Sequence, residues 1–182
     1  MSQPNPMTDA FREAFRRHPA GVAVITADPG DRPVAMTVSS LISVSAAPPV
    51  VAFSLSTRSA SSAPLLKAET MIIHLLRFAD IELAQLCATS GAERFGPGIA
   101  WERLPTGEPR YTRVSTWFRA KKLGLLPIDG ATLVAAELLE GEVRGGDDPP
   151  EHHSLVYLDR RWHRLHKELE GAISLFDSSH FV

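Results

Sequence analysis

At 182 residues with 44% hydrophobic and 22% charged side chains, the chain has enough apolar content to bury one core without disulfides or metals, and it reads as a single domain. A net charge of −2, with no basic run longer than two residues, excludes a general electrostatic attraction to nucleic acid or anionic membrane. The lone cysteine, Cys87, excludes an internal disulfide and suits a reducing cytoplasm, and no apolar run approaches the roughly 20 residues that cross a bilayer.

Residues 1–10 are expected to form a loose or disordered N-terminal tail, polar and without an apolar signal core. Thr8 or Asp9 can cap a short helix whose Phe11, Ala14, Phe15 and His18 share a face, and Pro19 stops it. Gly21 to Ala27 reads as a strand, and Asp28-Pro29-Gly30-Asp31 is turn chemistry that makes it a hairpin with the next. That next strand is expected over Val34 to Val44, where apolar residues interleave with Thr37, Ser39, Ser40 and Ser43. Pro48 and Pro49 end it, because proline cannot donate to a ladder, and Val50 to Ser56 follows as a further strand. The loop from Thr57 to Ser62 leads into a helix at Ala63 to Ala68.

Met71 to Leu76 reads as a buried strand and Ile81 to Cys87 as a helix with an apolar face. Gly91 to Arg110, rich in Gly and Pro, is the expected mobile loop bordering a site. Val114 to Lys121 and Leu133 to Val143 are strands, joined by a connection through Gly124 to Gly130. A polar loop at Arg144 to His153 precedes closing strands at Leu155 to Leu158 and Trp162 to Leu165. Residues 166–182 form a C-terminal tail with helical spacing of Leu169, Ala172, Ile173 and Phe176, interrupted by Gly171. Many short strands with few, peripheral helices favour a mainly β fold, a closed or split barrel, over a βαβ fold.

The run Pro33 to Ser61, with Pro19-Ala20-Gly21-Val22-Ala23-Val24-Ile25-Thr26, Pro48-Pro49-Val50-Val51 and Arg58-Ser59-x-Ser61, resembles the flavin reductases with an FMN-binding split barrel. Many of these are the small reductase component of two-component flavin monooxygenases. The likeness continues through Arg94-Phe95, Trp101, Trp117, Leu133 to Val143 and Leu155 to Leu165, so that residues 11–165 stand as the split-barrel domain. The resemblance implies FMN (or FAD) as cofactor, NADH or NADPH as cosubstrate, a homodimer, and reduced flavin delivered to a partner monooxygenase.

The candidate site residues divide into three groups. Met36, Thr37, Val38, Ser39 and Ser40 offer backbone groups and hydroxyls to a flavin ring edge and ribityl chain; the plainer reading is a strand whose hydroxyls face water. Ser54, Leu55, Ser56, Arg58, Ser59 and Ser61 lie where a phosphate would find a fixed positive charge and short donors. The plainer reading there is a solvated turn with Ser61 or Ser62 capping the helix, and one helix terminus can serve both ends. By resemblance Arg94-Phe95 lies close to the flavin, although Phe95 and Trp101 also suit ordinary loop anchors.

By resemblance, a weaker nicotinamide site falls at Tyr157, Leu158, Asp159 and Arg160. Many relatives carry histidine where this chain has Ala131, and a His-Arg-Gly-like turn where it has Leu158-Asp159-Arg160. No catalytic side chain is expected, because hydride transfer between two rings needs placement more than proton exchange. No metal is expected either: His152-His153 and His163-x-x-His166 lack a completing ligand set, and Cys87 reads as a buried, inert thiol. Gly-x-Gly-x-x-Gly, Gly-rich Lys-Ser/Thr and Gly-x-Ser-x-Gly motifs are missing, which removes the commonest rival enzyme classes. Two alternatives stay open: a flavin-binding barrel without turnover, and a self-contained FMN oxidoreductase acting on a small substrate.

Overall fold

The computed structural model describes residues 6–30, 32–143 and 153–165. Helix α1 (Pro6–Arg16) begins inside the segment expected to be a loose tail, and none of its residues is buried. Strands β1 (Ala20–Gly21) and β2 (Ala23–Ala27) follow, and β2 is buried at every position. The two-residue period explains that burial. Ala23, Ile25 and Ala27 face one apolar cluster, while Val22 and Val24 face a second on the other side of the sheet.

β2 pairs antiparallel with β3 (Val34–Val38), as the turn residues predict. The strand expected over Val34 to Val44 is in fact two. β3 stops at Val38, and β4 (Ile42–Ala46) pairs instead with β5 (Pro49–Ser56) across a turn at Ala47-Pro48. The adjacent apolar pair marks the break: Leu41 packs against the core, whereas Ile42 is exposed. Helix α2 (Ser62–Lys67), strand β6 (Thr70–Leu75), a 3-10 turn (Phe78–Asp80) and helix α3 (Ile81–Ala88) come next.

The long loop after α3 carries a small hairpin that the sequence reading missed, β7 (Trp101–Arg103) with β8 (Pro109–Tyr111). The expected connection at Gly124 to Gly130 is also strand. β9 (Thr116–Ile128) and β10 (Ala131–Val143) form one long hairpin around Asp129-Gly130, and Gly130 takes the positive φ of +82° that this turn requires. Pro127 is tolerated in β9 because β6 pairs only as far as Lys121, leaving that edge of the strand without a neighbour among the described residues. β11 (Ser154–Leu158) and β12 (Arg161–Leu165) close the described chain. The readings at Arg144 to His152 and at residues 166–182 lie outside the described residues.

The strands form a seven-stranded antiparallel sheet in the order β3-β2-β6-β9-β10-β5-β4, a three-stranded sheet β1-β11-β12, and the β7-β8 ribbon. This is the mainly β, split-barrel architecture expected. The large sheet curls round the first apolar cluster, which includes Phe53, Leu55, Met71, Ile73 and Val134. Its seam falls between β3 and β5, which lie beside each other without a ladder.

His74 ties the second cluster together. Its Nε2 accepts the Tyr111 N–H at 3.0 Å, so the ring proton sits on Nδ1, 3.1 Å from the Val24 carbonyl. Burial pushes its pKa down to about 3, against the pull of the Val24 carbonyl and with help from the charge of Arg110. Glu108 is a buried carboxylate. Burial alone would raise its pKa, but hydrogen bonds from Thr106, Thr70 and Arg119 hold it below the usual carboxylate range.

Candidate functional site

A cleft of about 1190 Å³ opens along the seam, bounded by β3, the loop from Ser56 to Ser61, the end of α3 and the segment from Ser90 to Phe95. Met36, Thr37, Val38, Ser39, Ser40, Ser54, Ser56, Arg58, Ser59, Ser61, Arg94 and Phe95 all line it. Residues far apart in sequence are thus brought to one wall and rim.

Leu55 is the exception. It is buried in the barrel core and does not line the cleft, because alternation along β5 turns it inward between Ser54 and Ser56. Tyr157, Leu158, Asp159 and Arg160 do not line the cleft either. They stand on the β11–β12 hairpin, where Asp159 and Arg160 both have positive φ and form the turn, and Asp159 N–H donates to the Arg16 carbonyl. Tyr157 packs with Trp162 against the second cluster. Ala131 does not line the cleft, but it pairs with Ser56, which does.

Several hydroxyls are already engaged within the fold. Thr37 Oγ1 donates to the Ala84 carbonyl at 2.7 Å, and Ser62 Oγ to the Ser56 carbonyl at 2.6 Å. Ser59 Oγ lies 3.2 Å from the Met36 sulfur, which pins the loop against β3. Ser61 occupies the cap position of α2 but makes no side-chain capping bond. Its oxygen accepts from Arg94 Nη1 at 2.9 Å, leaving the hydroxyl proton for a ligand.

Arg94 is the centre of this rim. Its Nη2 donates to the Thr89 carbonyl at 2.7 Å, and its Nε is buried with no partner among the described residues. A buried guanidinium N–H without an acceptor fits an anionic ligand in the cleft. Arg58 supplies a second, exposed cation on the same rim. Phe95 stacks on Tyr111 at 5.4 Å and meets Trp101 edge-on at 5.1 Å, and Trp101 Nε1 donates to the Phe95 carbonyl at 2.9 Å. Phe95 and Trp101 thus anchor the loop, and both also line the cleft.

Sequence reasoning missed Arg32, Glu93 and Tyr111. Arg32 and Glu93 line the cleft at its mouth, and Tyr111 holds the rim from behind. Nothing in spacing singles them out. Cys87 also borders the cleft, yet it is nearly fully buried and its thiol is pushed up to about 11 by burial, partly offset by Tyr111 and Arg94, so it stays protonated. Among the described residues no His, Cys, Asp or Glu cluster could hold a metal ion, and no helix is long and apolar enough to cross a membrane.

A curled antiparallel sheet with a hydroxyl- and arginine-lined seam defines a class of cofactor-binding barrel, and the flavin reductase like domain matches residues 15–166. The chain belongs to that family. An NADH:FMN oxidoreductase of Rhodococcus qingshengii is 38% identical over 154 residues, 85% of this chain and 80% of that protein. The reductase component of 4-hydroxyphenylacetate 3-monooxygenase from Thermus thermophilus is 31% identical over 159 residues, 87% of this chain and 97% of that protein. Among solved structures, a flavin reductase domain protein from Arthrobacter sp. FB24 superposes with a TM-score of 0.79 at 31% identity, over 87% of this chain and 95% of that one.

Proposed function

We propose that this chain is an NAD(P)H:flavin oxidoreductase that reduces FMN (or FAD) and supplies the reduced flavin to a partner monooxygenase. The observation that carries the reading is the cleft on the barrel seam. It joins a strand of backbone and hydroxyl groups to a rim bearing Arg58, Arg94 and Ser61, in a chain of the flavin reductase-like family. The residues present fit the cofactor: a polar wall for the ribityl chain and ring edge, and a cationic end with an orphaned Arg94 Nε for phosphate.

When bound, the flavin supplies the hydride-accepting chemistry. The chain's part is to bind, orient and shield. Ser39, Ser40, Ser54 and Ser56 flank the ribityl path. Arg58, Ser59, Ser61 and Arg94 would hold the phosphate, and Phe95 and Trp101 line the cleft. By the resemblance, the nicotinamide would approach from the side of Ala131, which pairs with Ser56. Tyr157, Leu158, Asp159 and Arg160 contribute at most from a neighbouring hairpin.

The same reading includes a homodimer working in the cytoplasm. Ile42 and Val44 on β4, and Leu123, Leu125, Leu126 and Ile128 on β9, are exposed large apolar side chains. They stand on strands of one sheet, and such a concentration is unusual on the surface of a lone domain. Leu126→Lys should shift the protein from dimer to monomer in light scattering. An unchanged mass would place the interface elsewhere.

The function is tested by NADH and NADPH oxidation with added FMN, FAD or riboflavin, on protein whose bound flavin has been quantified. Oxidation that requires flavin supports the reading. Tight flavin binding without oxidation would instead favour the carrier alternative.

A further inference from the structure

We propose that Tyr111 is a positioning residue for the flavin site: its hydroxyl pins the Arg94 main chain, and with it the guanidinium at the phosphate end. The inference rests on the flavin reading above.

Tyr111 is buried behind the cleft wall. Its OH donates to the Arg94 carbonyl at 2.9 Å, and its oxygen lies 3.5 Å from the Cys87 sulfur. With the phenol proton committed to Arg94, the thiol is the donor in the second contact. Burial raises the pKa of Tyr111, so the phenol remains a donor at every relevant pH. One face of the ring carries Phe95, stacked within 6° of parallel, and the tilted ring of His74 lies 5.4 Å away. The Tyr111 backbone is itself fixed, since its N–H donates to the neutral His74 Nε2.

Tyr111 thereby connects His74 in the large sheet to the main chain of Arg94 itself. Trp101 holds the Phe95 end of the segment that bears Arg94 and Phe95, through Nε1 on the Phe95 carbonyl and an edge-on ring contact, but it does not reach the Arg94 carbonyl. Phe95 N–H reaches the Glu93 carboxylate, and the Arg94 side chain reaches Ser61 and Thr89. An arginine on a free loop would lose conformational entropy each time a phosphate arrived; held in place, it meets the ligand already oriented.

Tyr111→Phe keeps the stack on Phe95 and removes only the hydroxyl. We expect FMN affinity to fall about tenfold, the scale of one lost hydrogen bond at a charged site, with riboflavin affinity and kcat at saturating flavin nearly unchanged. Backbone order parameters at Arg94 and Phe95 should fall while those at Val24 and Ile25 stay at the rigid level. Val114→Ala, in the same apolar cluster, should lower the melting temperature without changing the FMN-to-riboflavin ratio.

A Tyr111→Phe protein that melts lower but keeps the wild-type ratio would overturn the inference. Should Tyr111→Phe not fold, backbone order parameters of the flavin-free wild type decide. Values at Arg94 and Phe95 comparable to those of β2 support the pin, and values typical of a flexible loop refute it. If the wild type itself binds FMN no better than riboflavin, the phosphate reading fails, and the order parameters still judge the pin.

Discussion

Ser40 Oγ accepts the Ser54 N–H at 3.0 Å and lies 3.2 Å from the Ser54 carbonyl, to which it donates. One hydroxyl thus satisfies both backbone groups of a residue on β5 from the loop just beyond β3, across the seam of the barrel. The contact stands in for a rung of ladder that the two strands do not form. Ser40→Ala would leave the Ser54 amide and carbonyl to water or unpaired, at a cost of about 1–3 kcal/mol. The urea midpoint should fall accordingly, and flavin affinity should weaken with it. Equal stability of mutant and wild type would mean that water replaces the hydroxyl fully.

Arg58 and Arg94 share the cationic end of the cleft but differ in how they are held. Arg58 is exposed on the loop, so Arg58→Ala removes no core volume and should leave the fold intact. FMN affinity should drop by about tenfold to a hundredfold, the equivalent of about 1.5–3 kcal/mol for a charge-assisted bond. Riboflavin, which lacks the phosphate, should be nearly unaffected. Ser61→Ala should show a smaller loss of the same kind. Calorimetric titration of both ligands gives the ratio; an equal loss for each ligand, or none for either, returns the loop to a solvated turn.

Ala131 pairs across the ladder with Ser56, a residue that lines the cleft. Restoring an imidazole there, Ala131→His, should lower the apparent KM for the nicotinamide donor, with a smaller effect on kcat. Steady-state kinetics at saturating flavin checks this. If neither constant moves, the donor approaches from another side.

The histidine in the core makes stability depend on acidity. His74 has a folded pKa of about 3 against an ordinary 6.5, so the unfolded chain binds the extra proton between those values. Stability is therefore full above pH 6.5 and declines as the pH falls toward 3, by at most about 1.36 kcal/mol per pH unit from this group. Glu108, held below the carboxylate range, adds to the loss only at the acid end. Denaturant midpoints between pH 5 and 7 should show the slope. His74→Gln can keep both hydrogen bonds with a group that does not titrate, and should flatten it; an unchanged slope would assign it to other groups.

Much of this was legible in the sequence because alternation and turn chemistry are local. The β2–β3 hairpin, β5, β6 and both short helices fall where period and breakers put them, and the hydroxyl-rich strand and Arg58 loop do meet at one cleft. The misses have a common cause in tertiary context. Leu55 shares its segment with two cleft serines, but strand parity sends it to the core. Gly124 to Ile128 contain Gly and Pro and read as part of a connection, yet pairing along β10 draws them into a strand. Tyr111 carries no motif at all; only the meeting of β8, α3 and the Arg94 segment gives it a role.

The chain passes from β3 to β4 in three residues, 39–41, although these strands are the two outermost of the seven. Laid flat, with strands about 4.8 Å apart, the outer strands would be separated by roughly 29 Å. Four Cα steps of about 3.8 Å, from Val38 to Ile42, reach only about 15 Å. Connectivity alone therefore forbids a flat sheet. The circumference is fixed covalently by a strap shorter than the sheet is wide, and the groove beside that strap is present before any ligand arrives.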